Sequence, residues 1–275
     1  MDIIQSILMG IVQGLSEFLP ISSSAHLVFT SNFYKVFKGI EIVEQSNQEV
    51  FLDIMLHLGT LIAVLIFFRK EIWAICKALI SNDRNNSDFK TGVYIILGTV
   101  ITVLIAFPLS EVAEFLVFKP EIVGGLLIFT GILLLSSEAW AKKHPDKKEV
   151  TLKNSVLIAI AQGLAALPGF SRSGLTIATG LFSGVDRTTA ARYSFLLSIP
   201  IILGASMVYP LVKLDFAEVV TYNWVSIIAG TIVSGIVGYI CIKYFLKFVS
   251  KFSLGIFGYY CLIMGILTAI FFSIK

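Results

Sequence analysis

Apolar residues dominate six stretches of the chain, 51–68, 91–110, 121–138, 192–212, 223–243 and 252–274, with shorter polar segments between them. Each comes close to the roughly 20 residues that cross a bilayer as a helix, so each predicts a transmembrane helix. Two further apolar stretches are broken. Residues 1–33 are interrupted by Pro20 and the run Ser22-Ser-Ser24, with Glu17 and His26 on either side. Residues 154–183 are interrupted by Pro168-Gly169 and a serine cluster around Arg172. A straight helix does not tolerate these breaks comfortably, and freed backbone groups inside a membrane must be satisfied by protein or by a polar cavity. Both stretches therefore predict helix, sharp turn, helix: a hairpin that enters and leaves by one face. The polar segment 34–50, with Lys35, Lys38, Glu41, Glu44 and Glu49, predicts a loop or surface helix. Residues 69–90 predict a loop centred on an Asn-Asp-Arg-Asn-Asn-Ser turn, and the helix at 91–110 is expected to end after Pro108. The expected fold is an all-α polytopic membrane protein, a single integral domain over 1–275, with six transmembrane helices and two re-entrant hairpins.

Composition agrees: 56% of the 275 residues are hydrophobic, 14% are charged, and mean hydropathy is +0.88. These values exclude an ordinary globular enzyme. The first apolar run is preceded by Asp2 and by no Lys or Arg, unlike a cleaved signal peptide, so it is expected to stay in the mature protein. Cys76, Cys241 and Cys261 form no C-x-x-C pair and indicate neither a zinc site nor a disulfide framework. The net charge of +3 is small, and no nucleic-acid partner is expected. Its distribution carries more information. If both hairpins return to the side they entered from, segments 69–90, 139–153, 184–192 and 244–251 share one side and hold fourteen basic residues. The opposite side holds five, Lys35, Lys38, Lys119, Lys213 and Lys275. The positive-inside rule then places the first group in the cytoplasm. Hairpin 1–33 enters from outside, hairpin 154–183 from the cytoplasm, and their tips can meet near the midplane.

The two hairpins are also alike in sequence. Gln13-Gly-Leu-Ser-Glu-Phe-Leu-Pro-Ile-Ser-Ser-Ser-Ala-His-Leu27 aligns with Gln162-Gly-Leu-Ala-Ala-Leu-Pro-Gly-Phe-Ser-Arg-Ser-Gly-Leu175, with one extra residue before the first proline. Similar hairpins of opposite orientation are what an inverted-topology repeat predicts, with the site at its interface. The copies differ in their chemistry: Glu17 and His26 stand in the first, Arg172 in the second. An arginine at membrane depth by default marks a functional site. Its planar fork, with Ser171, Ser173 and Thr176 beside it, suits a phosphate group. Ser23 is the candidate nucleophile and Ser22 a phosphate donor. Glu17 can be the base for Ser23 or hold a metal ion, and His26 can be base or leaving-group acid. Direct attack by water is the alternative. Asp53 and His57, one turn apart, read equally as a pair orienting the site or as a helix-packing contact. No compact metal-binding motif occurs, so a metal would be shared between Glu17 and substrate phosphates.

At these residues the chain resembles the undecaprenyl-diphosphatase family, also called bacitracin-resistance proteins. The resemblance covers essentially the whole chain. It rests on two motifs: Gln13 to Glu17 with Pro20-Ile-Ser-Ser-Ser-Ala-His26, matching E/Q-x-x-x-E and Pro-x-Ser-Ser-x-x-His, and Pro168-Gly-Phe-Ser-Arg-Ser-Gly-Leu-Thr176. The resemblance implies hydrolysis of undecaprenyl diphosphate to the monophosphate, recycling the lipid carrier of cell-wall synthesis. It also implies a fold of two re-entrant hairpins, a bacterial plasma-membrane location and a site open to the outer face. Gln13 stands where the family also uses glutamate, so a second carboxylate is not available there. The expected partners are a polyprenyl diphosphate lipid and the bilayer, and an oligomer is compatible with them. The expected cofactor is at most a divalent cation, magnesium or calcium. The competing function is a transporter or flippase for a polyprenyl phosphate or other anion, since broken helices in inverted repeats also mark transporters.

Overall fold

The computed structural model describes residues 2–39, 46–117, 119–144, 149–213 and 216–273. Glu41, Glu44, Lys147, Lys148 and Lys275, counted above by charge, lie outside them. The described residues form helices α1 (Ile3–Ser16), α2 (Ser23–Phe37), α3 (Asn47–Phe67), α4 (Arg69–Ser81), α5 (Ser87–Leu116), α6 (Pro120–Ala141), α7 (Leu152–Leu164), α8 (Arg172–Phe182), α9 (Arg187–Lys213), α10 (Phe216–Val219), α11 (Trp224–Val249) and α12 (Gly255–Ser273). No extended strand occurs among them.

Six helices, α3, α5, α6, α9, α11 and α12, are long and apolar enough to cross a membrane, and they coincide with the six predicted runs. Their outer faces carry exposed residues such as Leu104 and Phe107, which suit lipid contact rather than water. The chain is a multi-pass membrane protein. The four helices of the broken stretches are short: α1 has 14 residues, α2 15, α7 13 and α8 11. At 1.5 Å per residue each is about 16 to 23 Å long, less than the roughly 30 Å hydrocarbon core. Within each stretch the two helices lie against each other, α1 on α2 and α7 on α8.

Close approach holds these short helices in place. Helix α1 packs along α11, where a Cβ on Gly10 would lie 2.5 Å from the Gly230 carbonyl oxygen, so only glycine fits. Helix α7 packs along α5, where Gln162 donates to the Thr102 hydroxyl at 3.2 Å. The core beneath the first hairpin is aromatic. Phe18, fully buried, meets Phe195 edge-on at 5.2 Å, and Phe195 also contacts Phe68 and Phe245. Because Phe18 follows Glu17 directly, this cluster fixes where the Glu17 carboxylate emerges. Two thiols hydrogen-bond carbonyls at the same hairpin: Cys241 to Leu15 at 3.3 Å and Cys261 to Pro20 at 3.4 Å. At the other end of the bundle Glu138 of α6 accepts two bonds from Arg187 of α9, at 2.8 and 2.6 Å, and one from the Leu254 amide at 2.9 Å.

The structure corrects two sequence expectations. Helix α5 does not stop at Pro108 but runs to Leu116 with the proline inside it. Ser110, two residues after the proline, donates its hydroxyl to the Phe107 carbonyl at 2.7 Å. Residues 69–81 are not loop but the helix α4, which buries Ile75 and Ala78 and leaves its charges outward.

Candidate functional site

The site forms where the two helix breaks meet. Helix α1 ends with Glu17 as its C-terminal cap. The chain turns through Pro20 and restarts at Ser23 after Ser22, which sits at φ +70°. That conformation is rare for a residue with a side chain and costs on the order of 1–3 kcal/mol, so the surroundings must impose it. The Ser22 hydroxyl caps α2 by accepting from the Ala25 amide, and its carbonyl accepts from His26 Nδ1 at 2.7 Å. In the second hairpin the turn passes through Gly169 at φ +99°, where a Cβ would meet the Val123 carbonyl oxygen at 2.4 Å. Only glycine satisfies both demands. Helix α8 then starts at Arg172, with Ser171 capping it by accepting from the Gly174 amide at 3.0 Å.

Three contacts bring Glu17, Ser23 and Arg172 together. Arg172 Nη2 donates to Glu17 Oε1 at 2.5 Å, Ser23 Oγ donates to Glu17 Oε2 at 2.7 Å, and Gln13 Nε2 donates to the same Oε2 at 3.0 Å. The tips also touch through Ser173, whose hydroxyl donates to the Leu19 carbonyl at 3.0 Å. Glu17 is buried, its side chain 5% exposed, while that of Arg172 is 17% exposed. A carboxylate in such a place needs a counter-charge, which Arg172 supplies. The other arm of the guanidinium, Nη1, is buried and makes no hydrogen bond among the described residues. A free donor of a fixed fork beside a serine hydroxyl is what a phosphate oxygen needs.

The remaining predicted residues fall around this core. Ser171 is buried, with its hydroxyl 3.3 Å from that of Ser173 and its amide donating to Thr130 at 3.2 Å. Thr176 is fully buried and spends its hydroxyl on the Arg172 carbonyl at 2.7 Å and on Ser194 of α9 at 2.6 Å. Gln13 is fully buried and reaches Glu17 only. His26 does not touch Glu17 or Ser23 by hydrogen bond. Its Nε2 meets the Tyr260 hydroxyl at 2.7 Å, and the two rings stack 5.6 Å apart. His57 bonds through Nδ1 to the Asp53 backbone carbonyl at 2.8 Å and brings Nε2 to 3.6 Å from Glu17 Oε2.

Tyr260 is the contact that sequence reasoning missed. It lies in the last apolar run, 234 residues from His26, with no motif around it. Thr130 and Ser194, which anchor the second hairpin, carry no sequence signal either.

Comparison with known proteins gives one consistent result. The family model described as bacitracin resistance protein BacA matches residues 6–267. An undecaprenyl-diphosphatase of Methanobrevibacter smithii is 40% identical over 282 residues, covering 97% of this chain and 96% of that protein. One of Halothermothrix orenii is 38% identical over 270 residues, covering 98% of each. One of Alteromonas mediterranea is 35% identical over 268 residues, covering 96% and 97%.

Proposed function

The chain belongs to the bacitracin resistance protein BacA family, and on that footing we propose that it is a membrane-embedded phosphatase that hydrolyses undecaprenyl diphosphate to undecaprenyl phosphate and inorganic phosphate. The observation that carries this reading is the hydrogen bond from Ser23 to a carboxylate whose other oxygen is held by Arg172. A serine hydroxyl becomes a nucleophile when a neighbouring base takes its proton.

The terminal phosphate binds through Arg172, whose free Nη1 and displaceable Nη2 form a bidentate fork for two of its oxygens. The Ser22 hydroxyl and the first turn of α8 add donors at its edge. Binding draws the guanidinium away from Glu17, and a carboxylate stripped of its counter-ion is a stronger base. Glu17 Oε2 takes the Ser23 proton as Oγ attacks the terminal phosphorus. The bridging P–O bond breaks, and its electron pair leaves with undecaprenyl phosphate. Water then attacks the phosphoserine, giving inorganic phosphate and restoring Ser23. Arg172 stabilises charge on the phosphoryl oxygens in both steps. Gln13 orients the carboxylate, and His26, held by Tyr260, sits beside the turn that carries Ser22 and Ser23.

A magnesium or calcium ion fits this donor set only together with the substrate. Glu17 is one carboxylate with both oxygens hydrogen-bonded, and no three His, Cys, Asp or Glu side chains gather among the described residues. A cation there would be held by Glu17 and phosphate oxygens, and it would neutralise charge on the diphosphate.

The helix pairs α1–α2 and α7–α8 are re-entrant hairpins of an inverted repeat. In support, α1 packs on α11 as α7 packs on α5, which are equivalent elements of the two halves. The same repeat, combined with the basic segments, orients the chain with α4 and the α6–α7 connection in the cytoplasm of a bacterial cell and the Ser23 hairpin open to the outer face. Transport of an anion would leave the Ser23–Glu17 bond without a use. The test is phosphate release from undecaprenyl diphosphate by the purified protein in detergent, alongside movement of labelled lipid across vesicles. Release abolished in Arg172→Ala supports the enzyme; lipid movement with no release by the wild type overturns it.

A further inference from the structure

Undecaprenyl diphosphate is a charged group on a long apolar chain. A site that holds its phosphates beside Arg172 must let the chain pass between two helices into lipid, where apolar surface is stable. We infer that it passes between α2 and α12, along a seam that runs from His26 and Tyr260 to Phe33 and Phe271. The inference rests on the phosphatase reading and adds where the substrate's polyprenyl chain lies.

The other routes beside the site are closed. A Cβ on Gly59 of α3 would lie 2.4 Å from the Thr231 carbonyl oxygen of α11, and one on Gly124 of α6 would lie 2.8 Å from the Gly265 carbonyl oxygen of α12. Backbone meets backbone at such contacts and leaves no room for a chain. Helix α1 is sealed on α11 in the same way at Gly10. Between α2 and α3, Leu27 is buried in one cluster with Phe51, Leu52 and Leu56, and Lys35 bonds Glu49 at 3.0 Å.

Helices α2 and α12 meet differently. Each has its close packing elsewhere, α2 on α1 and α12 on α6, and the two touch through side chains. The His26 and Tyr260 rings stack at 5.6 Å, those of Phe33 and Phe271 at 6.0 Å. The contacts follow the same order along both helices, so the helices run side by side away from the site. His26 and Phe33 are seven residues apart, about 10 Å of helix. On α12, Tyr260, Ile263, Leu267 and Phe271 recur at helical spacing, and all four are exposed, as is Phe33. The inner end joins the site directly, because His26 Nδ1 bonds the carbonyl of Ser22, next to Ser23. An apolar seam that starts beside Ser23 and ends in lipid fits an isoprenoid chain, with aromatic faces to pack on. In the proposed orientation it opens to the outer leaflet. A second apolar groove, lined by Ile62, Ile66, Ile232 and Ile236, lies between α3 and α11. Its lining includes Gly59 and Gly235, where the two backbones touch, so it does not lead to Ser23.

The test uses the wild-type full-length protein in lipid nanodiscs and an undecaprenyl diphosphate analogue with a diazirine in its second isoprene unit. Irradiation and peptide mapping are expected to place on α2 and α12 the label that unmodified undecaprenyl diphosphate competes away. Competed label on Ile62, Ile66, Ile232 or Ile236, or on any helix other than α2 and α12, overturns the inference. A second readout uses the double variant Phe33→Ala/Phe271→Ala, two exposed positions outside the core. KM for undecaprenyl diphosphate is expected to rise about tenfold with kcat unchanged, because apolar contact with the chain is lost. KM for a diphosphate bearing a single five-carbon unit, too short to reach Phe33, is expected to stay the same. An unchanged KM for the long substrate, or an equal rise for both, overturns the inference. A wild type that releases no phosphate from either would instead overturn the phosphatase reading, while the label would still report where the chain lies.

Discussion

Arg172 and Glu17 stand 155 residues apart in the chain, and their side chains meet at 2.5 Å where the two helix breaks face each other. The pair ties the two helix breaks together, and in the proposed mechanism its guanidinium takes the phosphate and its carboxylate the serine proton. Arg172→Ala should lower kcat/KM by on the order of 10³-fold, as loss of a charge-stabilising donor does. Glu17→Gln keeps the shape but loses the base, and kcat should fall ~10²- to 10⁴-fold. Removing one member of a pair this buried costs about 3–5 kcal/mol, so Arg172→Ala should also unfold earlier on heating in detergent. Steady-state kinetics and thermal unfolding of the same preparations check both effects.

Tyr260→Phe separates His26 from its only side-chain hydrogen-bond partner among the described residues while keeping the stacked ring. One hydrogen bond contributes about 1 kcal/mol to stability, so the variant should lose about that much, and kcat should fall because the His26 ring loses its anchor. A variant as active as the wild type would show that Tyr260 does not support His26 during turnover.

Gly169→Ala tests the second turn. The substitution adds a Cβ against the Val123 carbonyl oxygen at a φ of +99°, and both faults act on the residue three before Arg172. Destabilisation of roughly 1–3 kcal/mol is expected, with activity lost in parallel. Thermal unfolding followed with phosphate release measures both.

Orientation can be read from a native residue. Cys76 of α4 is exposed, whereas Cys241 and Cys261 are buried. A membrane-impermeant maleimide should label Cys76 only after cells are opened, and Cys76→Ser should remove that label. Labelling in intact cells would reverse the orientation.

Much of this arrangement was legible in the chain itself. Continuous apolar runs gave the six long helices, and Pro20 and Pro168-Gly169 marked the two breaks because proline and a left-handed glycine end helices for local reasons. The lone Arg172 and the repeated Gln-Gly-Leu and Leu-Pro elements pointed to two tips that could meet, and Arg172 does meet Glu17. Other features depend on tertiary context. His26 reads as a base or leaving-group acid on the first turn of the helix after Ser23; it stands on that turn, and its ring bonds Tyr260, a partner on the last helix that no local pattern announces. Pro108 reads as a stop, but α5 carries the proline inside it and continues to Leu116. The charges of Arg69, Lys70 and Glu71 read as loop, although Ile72, Ile75 and Leu79 lie at helical spacing and mark the inner face of α4. Thr176 stands in the phosphate-binding motif, but its hydroxyl is committed to its own helix and to Ser194.

The account turns on Ser23 as the group that attacks phosphorus. The most direct measurement supplies purified protein with undecaprenyl diphosphate labelled on its terminal phosphate, quenches within one turnover, and locates the label. The account predicts label on Ser23 that chases into inorganic phosphate in the wild type, with neither labelling nor release in Ser23→Ala. Release by Ser23→Ala at the wild-type rate would contradict it.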